Sequence, residues 1–126
     1  MKLVHVKSLL DAEVLSGIEW LDREVKSACG SDLMSDVLAF TSEQALLLTG
    51  LTNIQVIRTA EMSDLAGIMF VRGKRPGLEV IEMAKDMGIP LLLTGWQMYE
   101  ACGILYKDGL AGCPPKEETL CCQIKD

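Results

Sequence analysis

The chain has 126 residues, the size of one domain with a buried core. Its net charge of −6 leaves little basic surface for a phosphate backbone, which argues against nucleic acid as a partner. Apolar residues make up 49%, which excludes a disordered chain, and no apolar run is long enough to span a membrane.

The opening stretch MKLVHVKSLLDAEV lacks the apolar centre and cleavage site of a signal peptide, so the expected location is the cytoplasm. Within it, LVHVKSLLDA reads as a short helix. EVLSG and REVKSAC read as a strand pair around the turn region GIEWLD. SDLMSDVLAF reads as a helix capped by Ser31 or Asp32.

From about residue 45 to 108 the pattern becomes regular. ALLLTG, AGIMFVRG and IPLLLTG are short continuous apolar runs that end in Gly, as strands buried on both faces do. Between and after them, apolar residues recur at three- to four-residue spacing: Ile54, Ile57, Ala60 and Leu65; Val80, Ile81, Ala84 and Met87; Met98, Ala101, Cys102 and Leu105. Gly88 and Gly109 stand where C-terminal caps belong. The expected fold is α/β, a β-α-β-α-β-α core with a mostly parallel sheet covered by helices, preceded by a helix and strand pair. Residues 1–110 form the domain, and 111–126, polar with Cys and Pro, read as a tail or flap.

LLLTG occurs twice, at 46–50 and at 91–95. One reading is a repeated turn device, with Gly turning the chain and Thr satisfying nearby N–H groups. The other is a shared site, because parallel strands open their C-termini onto the edge where α/β sheets bind ligands. That edge would gather Thr49, Gly50, Thr52 and Asn53, then Arg72, Gly73, Lys74 and Arg75, then Thr94 and Gly95. Helix N-termini beside clustered cations suit a phosphate or carboxylate; solvated loop cations are the plainer account.

Other chemistry-bearing residues are sparse. Asp32 and Asp36, one helical turn apart, suit a divalent metal or proton transfer, or else a cap and a first-turn acid. His5 is the single histidine and has no sequence partner. Five cysteines, Cys29, Cys102, Cys113, Cys121 and Cys122, are an odd count for a disulfide framework. The last three lack paired zinc-knuckle spacing, and Cys29 and Cys102 read as small buried residues. Trp20, Trp96, Tyr99 and Tyr106 read as core or rim packing. No phosphate-binding Gly-rich loop, dinucleotide fingerprint or nucleophile elbow is present.

SDLMSDVLA (31–39), LLTGLTN (47–53), AEMSDLAGIMFVRGKRP (60–76), AKDMGIPLLLTG (84–95) and YEACGILYKDGL (99–110) together resemble the DRTGG domain family, in the family's order and in its free-standing single-domain branch. The resemblance implies a fold similar to the N-terminal domain of HPr kinase/phosphorylase and an accessory or regulatory role. Related domains occur in some acetyl-phosphate-forming acyltransferases and in pyrophosphatases carrying nucleotide-binding CBS domains. Stand-alone copies tend to be encoded near redox and hydrogenase systems. The motif that names the family is absent. Val71-Arg72-Gly73-Lys74-Arg75-Pro76-Gly77 stands in its place, keeping a Gly and an Arg but losing the acid and the Gly pair.

The first expectation is a non-catalytic regulatory or ligand-sensing domain, without cofactor, taking a small anionic ligand such as a nucleotide at the sheet edge. An alternative is an interaction or dimerisation module accessory to a partner enzyme. A third is a small metal-dependent enzyme using Asp32 and Asp36. A homodimer is expected, since symmetric dimers are the commonest oligomers.

Overall fold

The computed structural model of the chain describes residues 1–114. In order these form α1 (Leu3–Leu9), β1 (Glu13–Ser16), a 3-10 turn (Ile18–Trp20), β2 (Ser27–Gly30), α2 (Met34–Phe40), β3 (Ala45–Thr49), α3 (Ile54–Met62), β4 (Gly67–Phe70), α4 (Leu78–Met87), β5 (Leu91–Leu93) and α5 (Met98–Lys107). The five strands make one sheet in the order β1-β5-β4-β3-β2. β2 to β5 run parallel, each beside its predecessor, and β1 closes the β5 edge antiparallel. This is the α/β architecture with a mostly parallel sheet that the sequence implies.

Stepping in one direction through right-handed crossovers places α2, α3 and α4 on a single face. There Val37, Ile57, Val80 and Ala84 pack on Leu47, Ile68, Phe70 and Leu91. The alternate strand residues Leu46, Leu48, Met69 and Leu92 face the other side, against Leu3 and Val6 of α1 and Ala101 and Leu105 of α5. Leu47, Ile68, Phe70 and Leu92 are fully buried. Because both faces are covered, the central strands β3, β4 and β5 are buried at every position and run apolar rather than alternating, whereas the edge strands β1 and β2 carry Glu13 and Ser27.

The two N-terminal strands lie at opposite edges of the sheet, not side by side. Their connection crosses under the starts of β4 and β5, where Arg23 Nη1 donates to the carbonyls of Ala66 and Gly88 at 3.4 and 3.3 Å. Val25 is buried there, so most of REVKSAC is spent on the crossing and the ladder begins at Ser27.

Helix α2 begins at Met34, with Leu33 as N-cap and no side-chain cap. Neither Ser31 nor Asp32 caps it. Ser31 Oγ accepts the Leu33 N–H at 3.1 Å in a turn before the helix, and Asp32 reaches across to the end of β3. Gly88 does end α4 in the left-handed conformation, at φ 72°.

Of the aromatics, Phe70 is core, while Trp20, Trp96, Tyr99 and Tyr106 are not. Tyr99 is 86% and Tyr106 71% exposed, Trp96 is also exposed, and half-buried Trp20 lies under the Arg23 guanidinium. Cys29 and Cys102 are half-buried rather than enclosed. Within the segment read as a tail, Gly112 bridges Ala28 in parallel, and Cys113 donates its N–H to the Ala28 carbonyl. The rest of it, with Cys121 and Cys122, lies outside the described residues. No helix among the described residues is long and apolar enough to cross a membrane.

Candidate functional site

Parallel strands deliver their C-termini to one edge, so the loops after β2, β3, β4 and β5 gather there. Between them opens a cleft of about 490 Å³. Its walls are Gly30, Ser31 and Asp32 from the β2–α2 loop, Val71 and Arg72 from the β4–α4 loop, and Gln97, Met98 and Tyr99 at the start of α5.

Arg72 is set by backbone that a non-glycine residue seldom adopts. It has φ 61°, and Gly73 follows at φ 65°. A left-handed residue with a Cβ costs on the order of 1–2 kcal/mol. Two main-chain bonds hold it so: Arg72 N–H donates to the Trp96 carbonyl and Gly73 N–H to the Thr94 carbonyl, both at 2.8 Å. The kink lays the guanidinium against Gly50, where a Cβ would overlap Nη2. Gly50 has no positive φ; it is needed for that approach. Gly95 has neither a positive φ nor a close neighbour, so the two Thr-Gly pairs do different work.

The two threonines are alike up to a point. Thr49 Oγ1 accepts the Leu51 N–H at 3.1 Å, and Thr94 Oγ1 accepts the Trp96 N–H at 3.3 Å, each closing the turn two residues on. Thr49 then donates to Asp32 Oδ1 at 2.9 Å, and Thr94 donates to the Leu10 carbonyl at 2.8 Å. Both side chains are buried and lie behind the cleft walls rather than in them. Thr52 and Asn53 lead into α3, with Asn53 at its N-cap, and do not line the cleft either. Lys74 is exposed, and Arg75 leaves for the far sheet edge, paired with Glu13 at 2.7 and 3.0 Å.

Asp32 joins these parts. Its Oδ1 accepts the Gly50 N–H at 2.7 Å as well as the Thr49 hydroxyl. The Gly50 N–H above all holds its carboxyl below the usual range; desolvation, next in size, opposes it, and the Thr49 hydroxyl and the charges of Arg72 and Lys74 add to the lowering. Asp32 is thus a charged brace between loops, flanked by two cations. Asp36 sits apart from it in the first turn of α2. Among the described residues no group of three His, Cys, Asp or Glu is placed to hold a metal ion.

Helix α5 supplies the remaining wall. Its N-cap is Gln97, without a side-chain cap, so its first turn brings uncapped N–H groups and partial positive charge to the cleft. Gly30 lets the helix settle: a Cβ there would meet Cys102 Sγ at 2.8 Å and Met98 Sδ at 3.1 Å. Sequence reasoning missed Gly30, Ser31, Gln97, Met98 and Tyr99. The Gly-Ser-Asp that ends β2 is strand-end punctuation like the two Thr-Gly pairs and was a usable signal; the return of α5 across the sheet had none.

Other reactive groups lie elsewhere or are quiet. His5 Nε2 meets Asp108 Oδ2 at 2.8 Å beyond the far end of α5, roughly 15 Å along the axis from Met98. Burial pushes the Cys29 and Cys102 thiols up, which disfavours the thiolate. A second cavity of about 400 Å³ lies at the opposite edge of the sheet, beside Arg23, Glu61 and Asp64. Two carboxylates on its wall, and an Arg23 already bonded to main-chain carbonyls, suit an anion poorly.

No family model matches the chain, and no curated protein matches it. Among solved structures, it is similar to the CBS and DRTGG domains of the regulatory region of Clostridium perfringens pyrophosphatase, a structure complexed with the activator diadenosine tetraphosphate. The TM-score is 0.69 at 18% identity, over 92% of this chain and 51% of that one. The chain therefore spans about half the length of that regulatory region, and what the two share is the fold.

Proposed function

We propose that this chain is a non-catalytic regulatory domain of the DRTGG type that senses a small anionic, nucleotide-like ligand in the cleft at the C-terminal edge of its sheet. The observation that carries this reading is Arg72. A strained backbone and a glycine opposite it hold a guanidinium at the mouth of a cleft whose far wall is an uncapped helix start. Such strain gathers at functional sites because the surrounding bonds over-determine it. A phosphate would take the guanidinium bidentately, with Lys74 as an outer charge and the first N–H groups of α5 as further donors. Tyr99 offers a ring on which a base can stack. Gly50 and Asp32 act behind this surface, one giving Arg72 its place and the other bracing the loops; Thr49, Thr52, Asn53, Gly73, Thr94 and Gly95 shape those loops.

The solved regulatory region, complexed with a dinucleoside polyphosphate activator, supports a ligand of that class. The test is calorimetric titration of the full chain with diadenosine tetraphosphate, ATP and inorganic phosphate. Binding of at least one, weakened by about 1–3 kcal/mol in Arg72→Ala with the fold intact, is the expected result. No binding of any, or binding indifferent to Arg72, overturns the reading and leaves a module that acts through protein contacts alone.

A further inference from the structure

Helix α5 exposes a face that none of the other described residues covers. Tyr99 and Tyr106 stand two turns apart, 86% and 71% exposed, with Trp96 extending the row before the helix. Between the tyrosines lies Gly103, exposed and inside the helix. A glycine there weakens the helix by about 1 kcal/mol relative to alanine. Nothing among the described residues requires it: its φ is not positive, and beyond its own turn of helix a Cβ would meet no atom within 4 Å. Gly30, by contrast, has Cys102 and Met98 packed against the place of its missing Cβ. A glycine that the fold leaves unexplained, between two exposed aromatic rings, marks a surface open to the close approach of another body.

The charges on this face say which body. Glu100 and Lys107 both border the shallow groove over Gly103 and Ile104, and they are seven residues apart, on the same flank and roughly equidistant from its centre. A two-fold axis through Gly103–Ile104 would bring each Glu100 to the Lys107 of an antiparallel copy, making two equivalent ion pairs. A parallel copy would set Glu100 against Glu100. The face is therefore complementary to itself in one orientation, as an isologous interface demands.

We infer that α5 is the self-association surface of this protein, pairing antiparallel with α5 of a second copy across Gly103, with the Tyr99 and Tyr106 rings flanking the crossing and Glu100 facing Lys107. The inference does not rest on the ligand reading: Tyr99 is shared by the two surfaces, but Gly103, Glu100 and Lys107, which the test varies, do not border the cleft. Such a pair places the two clefts near opposite ends of the paired helices, because Tyr99 belongs both to the cleft and to this face.

The test is sedentation equilibrium by analytical ultracentrifugation of the full chain over a wide concentration range, with thermal melts as the control for folding. The wild type should sediment as a dimer. Gly103→Leu, which fills open space in the single chain, should shift it to monomer while the melting curve of the monomer stays as cooperative as before. Glu100→Lys and Lys107→Glu should each weaken the dimer about tenfold or more, and the double variant should restore it, because the swapped charges again face each other. A wild type monomeric at every concentration overturns the inference. So does a dimer that Gly103→Leu leaves intact, or a double reversal no better than the single ones.

Discussion

The Asp32 carboxylate accepts the Gly50 N–H at 2.7 Å and so ties the β2–α2 loop to the loop after β3. The bond lies next to the Arg72 guanidinium, which rests on the same glycine. One carboxylate thereby orders two of the loops on which the cleft depends.

Removing that carboxylate strands a buried hydroxyl and a buried N–H. Asp32→Ala should destabilise the fold by about 1–2 kcal/mol in urea melts, at the low end for a charged bond because Asp32 itself is exposed. The effect depends on pH with a fixed sign. The Gly50 N–H above all lowers the folded-state pKa, so the contribution is full above the unfolded value near 4 and fades as pH falls through the lower folded value. The stability gap between wild type and Asp32→Asn should therefore be constant from about pH 7 to 5 and shrink below about pH 4. A gap unchanged down to pH 3 would mean that Asp32 gains nothing from its ionised form.

Gly50→Ala separates folding from binding. The added methyl overlaps the far end of a flexible side chain, and Arg72 can swing aside. Stability should change by less than about 1 kcal/mol, while phosphate-ester affinity falls towards that of Arg72→Ala. Calorimetry and a urea melt on the same sample check both. Unchanged affinity would show that the resting place of the guanidinium is not its working place.

Arg72→Gly and Arg72→Ala remove the same charge but differ in backbone strain. At φ 61° a Cβ is disfavoured and glycine is not. The glycine variant should be more stable than the alanine variant by about 0.5–1 kcal/mol, with equal loss of anion binding. Equal stabilities would place the strain elsewhere in the loop.

Phe70, fully buried in β4 beneath α3 and α4, anchors the sheet. Truncation to alanine should cost about 3–5 kcal/mol in equilibrium unfolding. A cost below about 1 kcal/mol would contradict the packing of that face.

Much of this arrangement is written locally. Unbroken apolar runs identify β3, β4 and β5 because burial on both faces removes the alternation, and three- to four-residue spacing identifies α3, α4 and α5 because each helix buries one stripe. Gly88 marks a helix end because left-handed backbone favours residues without a Cβ. These signals need no partner, so Phe70, Ile57 and Leu105 could be assigned to the core from their neighbours in sequence.

What the sequence could not decide was partnership at a distance. Asp32 reads as a helix cap, and it becomes a loop brace because β2 pairs with β3 and brings Gly50 within 2.7 Å. The two Thr-Gly pairs are identical as text, yet one makes room for Arg72 and the other does not, because the β4–α4 loop meets Thr94 through its main chain and turns the Arg72 side chain onto Gly50. Tyr99 reads as packing and stands in solvent, because α5 crosses back over the sheet with Ala101 and Leu105 inward and Tyr99 outward. Sequence determined the elements, whose causes are local; tertiary structure decided which residues meet, because that depends on strand order and crossover path, which no short window of residues encodes.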